Sequence, residues 1–256
     1  LDYILLALFI GISITLIRSG RKEDKLQKVS IWKDRMIALI IFMVINISFW
    51  ACFEQAGTSL TLFADRNVDR FIFGWEMPAS MTQFFNPFFI ILFGSIFSVM
   101  WVKLSKIGKN PSIPLKFCFG IVQLALGFLL TQVGFQFVNE AYQVPLLTLV
   151  FLYMLHTTGE LFLSPIGLSM VTKLSPKSMA GTAMGAWFLS FAIANYVGGK
   201  IAALTGGHGG GEVSSAEDGL LQYLDTFATI GYVLLAIAAL IFVLNKPIQK
   251  LMHGVE

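Results

Sequence analysis

The amino-acid sequence predicts an all-α integral membrane protein that crosses the bilayer seven times. Three observations predict it. Of its 256 residues 56% are hydrophobic and 13% charged, whereas soluble domains carry about 25% charged residues. The mean hydropathy is +0.75. The charges gather in short connectors between apolar runs, and each run is long enough to cross the roughly 30 Å hydrocarbon core as a helix. Lipid offers the backbone no hydrogen-bond partners, so such runs must be helical.

The first run is Leu1–Ile17. No basic stretch precedes it and no small-residue cleavage site follows, so it is a membrane helix and not a signal peptide. The chain thus opens inside a membrane segment, as a fragment would. The next segment, Arg18–Arg35, is charged and is expected to be a solvated cytoplasmic linker. Glu23, Asp24 and Asp34 dilute its cations, which argues against an anionic-lipid switch. Six further runs follow: Met36–Phe63, Met81–Val102, Leu115–Val138, Pro145–Val171, Met179–Leu204 and Tyr223–Leu244. The organisation expected is an accessory transmembrane helix over 1–18, a basic linker over 19–35, a six-helix bundle over 36–248 and a cytoplasmic tail over 249–256.

Gly and Pro punctuate the connectors. Gly206–Gly211 is expected to be a flexible connector, because no strand precedes it and no phosphate-loop spacing follows. Cys52 and Cys118 fall inside apolar runs and are expected to be small buried hydrophobes. Of the 18 Lys and Arg residues, all but Arg66, Arg70 and Lys200 fall on one side when connectors alternate across the membrane. That asymmetry makes the richer side cytoplasmic, with the N-terminus outside and the C-terminus inside.

Two glutamates stand where lipid disfavours them, Glu54 and Glu160. A mid-membrane ionisable group faces a bundle interior or a water-filled cavity. Tyr153, His156, Thr157, Ser164 and Gly167 share a helical stripe with Glu160; Asn46, Trp50, Gly57, Thr58 and Thr61 accompany Glu54. Each helix thus carries one wet face, the pattern of a cavity wall. The alternative is that the glutamates only join helices through buried hydrogen bonds. His156 stands one turn from Glu160 and could share its proton, but a hydrogen-bonded structural histidine is the better reading. Pro165 and the Asn86-Pro87 pair suggest bends beside the stripe, or plain packing irregularity. Gly181 and Gly185 are spaced for close helix packing.

Catalytic and metal motifs are missing from the sequence. His156, His208 and His253 lie far apart without metal-ligand spacing, and no nucleophile elbow or Walker pattern occurs. An enzyme is therefore not expected, nor a metal. The basic charge is explained by topology, so nucleic acid is not implied.

Phe49-Trp50-Ala51-Cys52-Phe53-Glu54-Gln55-Ala56-Gly57-Thr58, continuing to Ala64-Asp65-Arg66-Asn67, resembles the seventh helix of the proton-dependent oligopeptide transporters, a family of the major facilitator superfamily. Gln83-Phe84-Phe85-Asn86-Pro87 resembles the start of their eighth helix. Gly159-Glu160-Leu161-Phe162-Leu163-Ser164-Pro165-Ile166-Gly167 resembles the tenth, and Gly181 to Gly199 the eleventh. The resemblance implies the C-terminal six-helix bundle of a major facilitator fold, preceded by one accessory helix of a bacterial member. It implies that Glu160 helps hold a peptide's amino terminus and that Glu54 exchanges salt-bridge partners with the other half of the protein. It implies that Asn86 contacts the peptide backbone and that Trp50, Trp187 and Phe188 line the side-chain pocket. Ser164, Tyr153 and His156 are weaker candidates.

The family's first-helix E-x-x-E-R motif and the lysine of its N-terminal half are absent from this sequence. The expectation is half of a symporter for di- and tripeptides, not transport-competent alone. No cofactor is implied beyond a proton gradient as the driving ion. The expected partners are peptide, protons, the N-terminal helix bundle and the lipid of a bacterial inner membrane. A transporter of nitrate or an amino-acid-like solute, and a nontransporting sensor on the same fold, remain open. A retinal protein is disfavoured, because Tyr223–Leu244 holds no lysine.

Overall fold

The structure is a computed structural model describing residues 2–205 and 215–255. The glycine-rich connector Gly206–Gly211 lies outside the described residues. Among the described residues seven segments are long and apolar enough to cross a membrane.

Helix α1 spans Asp2–Gln27. It runs past Ile17, so the first half of the expected linker is helical. Arg, Lys, Glu, Leu and Gln dominate that stretch and all favour helix. The turn after it is organised by Asp24, whose carboxylate accepts from the backbone N–H groups of Ile31, Trp32 and Lys33 at 2.9, 2.8 and 3.1 Å. These include orphan donors at the start of α2, Trp32–Phe53.

The second span was expected to be one helix, Met36–Phe63, but it is broken. A 3-10 turn occupies Glu54–Gly57, and α3 resumes at Ser59–Asn67. The break is held from outside. Gln55 Nε2 donates to Ala51 O at 2.9 Å and across to Gly198 O at 3.0 Å. Beyond α3, β1 (Val68–Asp69) pairs in parallel with β4 (Val144–Pro145), and β2 (Phe71–Ile72) pairs antiparallel with β3 (Trp75–Glu76). Buried Arg70 pins this cap to Glu76 at 2.9 Å and Asp65 at 3.4 Å.

Helix α4, Phe85–Lys106, is entered through a 3-10 turn over Ala79–Phe84. Pro87 therefore lies in the first turn, where its missing N–H costs nothing, and it does not bend a helix interior. The remaining helices are α5 (Ile113–Gly134), α6 (Leu146–Leu174), α7 (Ala180–Thr205) and α8 (Ala216–Met252). Pro165 lies inside α6. Helix α8 continues through Pro247 beyond the expected Leu244, so the expected tail is helical to Met252. Arg35 ties that end down by donating to Met252 O at 3.3 Å and His253 O at 3.1 Å.

The core is built by α5 against α6 and α8, and by α2 against α7. Gly120 and Gly159 set the α5–α6 spacing: a Cβ on either would lie within 2.8 Å of the other's carbonyl oxygen. Gly181 and Gly185 do not make the close helix contact their spacing suggested. A Cβ on either meets nothing within 4 Å. Cys52 and Cys118 are buried and unpaired.

Candidate functional site

Glu160 stands halfway along α6, and its carboxylate is fixed from α4. Asn86 Nδ2 donates to Glu160 Oε2 at 3.0 Å and to Thr157 Oγ1 at 3.1 Å. Thr157 in turn donates to Tyr153 O at 2.7 Å. Both hydrogens of the Asn86 amide are thereby used, which orients Glu160 from one side. The 3-10 entry to α4 makes this possible by placing Asn86 in the first turn, opposite the middle of α6.

Glu54 lies where α2 gives way to its 3-10 turn. It is partly buried and within electrostatic reach of Glu160. Tyr153 OH donates weakly to Ala56 O of the same turn, at 3.4 Å. Among the described residues neither glutamate belongs to an ion pair. Two carboxylates inside membrane-length helices therefore have no cationic partner among the described residues.

An aromatic group adjoins them. Trp50 packs against Phe53 and Phe191, each with ring centroids at 5.1 Å, and Phe191 meets Trp187 at 6.2 Å. Phe53 and Phe191 were not singled out in the sequence. Phe191 could have been, since it lies four residues from Trp187 on one helical face. Trp187 is buried as a wedge: a Cβ on Gly167 would strike its ring at 2.7 Å. It is not an open pocket wall. Phe188, the next residue, faces outward and is 56% exposed.

His156 lies apart from the Asn86–Glu160 network. It is buried on the α5 side of α6, 4.7 Å from Phe128 and 6.4 Å from Phe53 between ring centroids. Its polar neighbour is the backbone of Leu124 on α5. His156 is packed as an aromatic ring and takes no part in the Asn86–Glu160 network. Ser164, one turn beyond Glu160, is partly buried and also outside that network. Asn46, on the Glu54 stripe, joins α2 to α7 by donating to Ser190 Oγ at 2.8 Å. Among the described residues no His, Cys, Asp and Glu group is arranged to hold a metal.

Membrane-length helices, one of them broken at a carboxylate, around polar groups and packed aromatic rings are the architecture of the major facilitator transporter fold. The chain belongs to the POT family, whose model matches residues 5–210. The Yersinia enterocolitica peptide transporter YePEPT is 37% identical over 88% of this chain and 42% of its own length. Dipeptide and tripeptide permease A of Edwardsiella piscicida is 34% identical over 87% of this chain and 44% of its own. The uncharacterized transporter YclF of Bacillus subtilis is 32% identical, covering 93% and 44%. A crystal structure of a POT peptide transporter, a glutamate-to-glutamine mutant in complex with alafosfalin, superposes with a TM-score of 0.81. It is 29% identical, over 98% of this chain and 47% of that one. A POT family transporter in complex with 5-aminolevulinic acid gives a TM-score of 0.77 at 26% identity, covering 96% and 48%. The chain spans about half the length of the curated relatives it matches.

Proposed function

We propose that this chain is the C-terminal half of a proton-coupled symporter that imports di- and tripeptides across a bacterial inner membrane. The observation that carries the reading is the pair Glu54 and Glu160, held at membrane depth without a cationic partner among the described residues. Leaving such groups uncompensated is costly, so the arrangement suits a cation that comes and goes. A peptide's ammonium fits Glu160, where Asn86 has already oriented the carboxylate. Glu54 is suited to meet basic residues of a second bundle. Trp50 and Phe191 offer an apolar surface for a peptide side chain, and Phe188 faces outward to meet the other half. Asn86 keeps its carbonyl oxygen for a peptide N–H.

Coupling arises when a proton and an ammonium compete for the same carboxylate. A proton gradient is then the driving ion and no cofactor takes part; no catalytic role is assigned. The positive-charge bias supports a cytoplasmic C-terminus and an outside N-terminus. Alternating access requires two bundles around a shared site, so the chain alone does not transport. Its partner is an N-terminal six-helix bundle. Reconstitution in liposomes tests this: proton-driven dialanine uptake appears when the chain is assembled with such a bundle, and uptake by the chain alone would contradict it.

A second reading has one observation in its favour. The carboxylates recognise an ammonium and not a peptide bond, and a solved relative holds 5-aminolevulinic acid. An amino-acid-like solute would then compete with dialanine in the same assay.

A further inference from the structure

The small residues that fail to pack helices together open a groove. It lies between α1 and α7, has a volume of ≈ 770 Å³ and is walled by Ile4, Leu8, Gly11 and Thr15 of α1 and by Gly185 and Leu189 of α7. Gly11 and Gly185 have open space where a Cβ would stand. Thr15 hides its hydroxyl by donating to Gly11 O at 2.8 Å, so the wall stays apolar. The two helices meet at both ends of the groove. Asp2 holds Lys200 at 2.6 Å and accepts from Tyr196 at one end, and Ser178, in the 3-10 turn leading into α7, donates to Glu23 at 3.2 Å at the other.

The groove face of α1 does not stop where the apolar residues stop. Positions 4, 8, 11 and 15 continue at helical spacing onto Arg18, Lys22 and Lys25, with Arg21 alongside. All four cations are exposed, and none forms an ion pair among the described residues. The acids that dilute them in sequence point elsewhere. Glu23 accepts from Gln27 at 2.6 Å and from Ser178. Asp24 caps α2, and Asp34 faces His253 at 3.0 Å. The one-dimensional charge balance of Arg18–Arg35 therefore does not survive folding, and one face of the extended α1 is purely basic.

We infer that this groove binds an anionic phospholipid of the adjoining leaflet. An acyl chain lies along Leu8, Gly11 and Gly185, and the headgroup phosphate is held by Arg18 and Lys22. An apolar slot ending at cations, at the depth where a helix leaves the hydrocarbon, complements a lipid with an apolar tail and an anionic head. A zwitterionic lipid fills the slot and brings the same phosphate, but its own cation offsets that charge, so only an anionic lipid leaves a net negative charge for Arg18 and Lys22.

Native mass spectrometry of the detergent-purified chain, titrated with dioleoylphosphatidylglycerol or dioleoylphosphatidylcholine, tests the site. The anionic phosphatidylglycerol is expected to be retained roughly tenfold better than the phosphatidylcholine. Arg18→Gln with Lys22→Gln erases that preference, and Gly185→Leu, whose side chain enters open space, lowers retention of both lipids. Lys103→Gln with Lys106→Gln, on exposed α4, leaves the preference intact. Equal retention of the two lipids, indifference to the Arg18 and Lys22 changes, or disulfide crosslinking of a Gly185→Cys variant to a second copy would each overturn the proposal.

Discussion

Four acidic side chains near the ends of the bundle have basic partners, and among the described residues the two in its middle have none. Asp2 holds Lys200 at 2.6 Å, Asp34 faces His253 at 3.0 Å, and Asp65 and Glu76 bracket Arg70 at 3.4 and 2.9 Å. Among the described residues Glu54 and Glu160 have only an asparagine between them as a polar side-chain partner. Stability alone would arrange this the other way round. An ion pair in reach of water is worth about 0–1 kcal/mol, whereas an ionised group at mid-membrane costs about 2.5–3.5 kcal/mol or more. The end pairs are fastenings between chain segments. The central pair fastens no such segments, and under the proposed function its cost is offset by the cation it would receive.

Substitutions at the two regions should separate accordingly, beginning with the centre. Glu160→Gln keeps the shape and removes the charge. Uptake of dialanine by the chain assembled with an N-terminal bundle should fall at least about thirtyfold, the loss expected when one partner of a desolvated charge pair is neutralised. Next comes Asn86→Ala, which removes a charge-assisted hydrogen bond worth about 1.5–3 kcal/mol. The apparent affinity for dialanine should weaken by roughly tenfold or more, with helical content by circular dichroism unchanged. At the α1–α2 turn, Asp24→Ala should lower unfolding stability by about 1 kcal/mol, the usual cost of losing a helix cap, without changing dipeptide affinity. The smallest effect belongs to Lys200→Ala. Its pair with Asp2 is exposed, so the loss should stay below about 1 kcal/mol and shrink in high salt. A large transport defect at Asp24 or Lys200, or none at Glu160, would erase the distinction between the regions.

The seven spans were legible because lipid enforces them: an apolar run of sufficient length has one backbone solution. Their ends were not, because contacts distant in sequence decide them. Nothing local marks Asp24 as the acceptor for three amides, or Arg35 as the clamp on the end of α8. The break at Glu54 depends on Gln55 reaching Gly198 of α7. Small residues illustrate the same limit. Gly181 and Gly185 have the spacing of a packing motif and face open space, while Gly120 and Gly159, on different helices, make the close crossing.

The site was legible in part. A carboxylate inside an apolar run announces itself, so Glu54 and Glu160 stood out from composition alone. Their polar neighbour Asn86 entered only through family resemblance, because its hydrogen bond to Glu160 joins residues 74 apart in sequence. Trp187 entered through the resemblance and His156 through its spacing from Glu160; the structure packs one against Gly167 and the other beside Phe128. Side-chain type indicates what a residue can do; the neighbouring helix decides whether it does it.

The central claim is that Glu160 receives an ammonium group. The most direct measurement compares dialanine with N-acetyl-dialanine as competitors for proton-driven uptake, in wild type and in Glu160→Gln. Wild type should prefer the free amino terminus by tenfold or more, roughly the worth of one charge-assisted contact, and the substitution should remove that preference. A preference that survives the substitution would place the ammonium elsewhere and contradict the account.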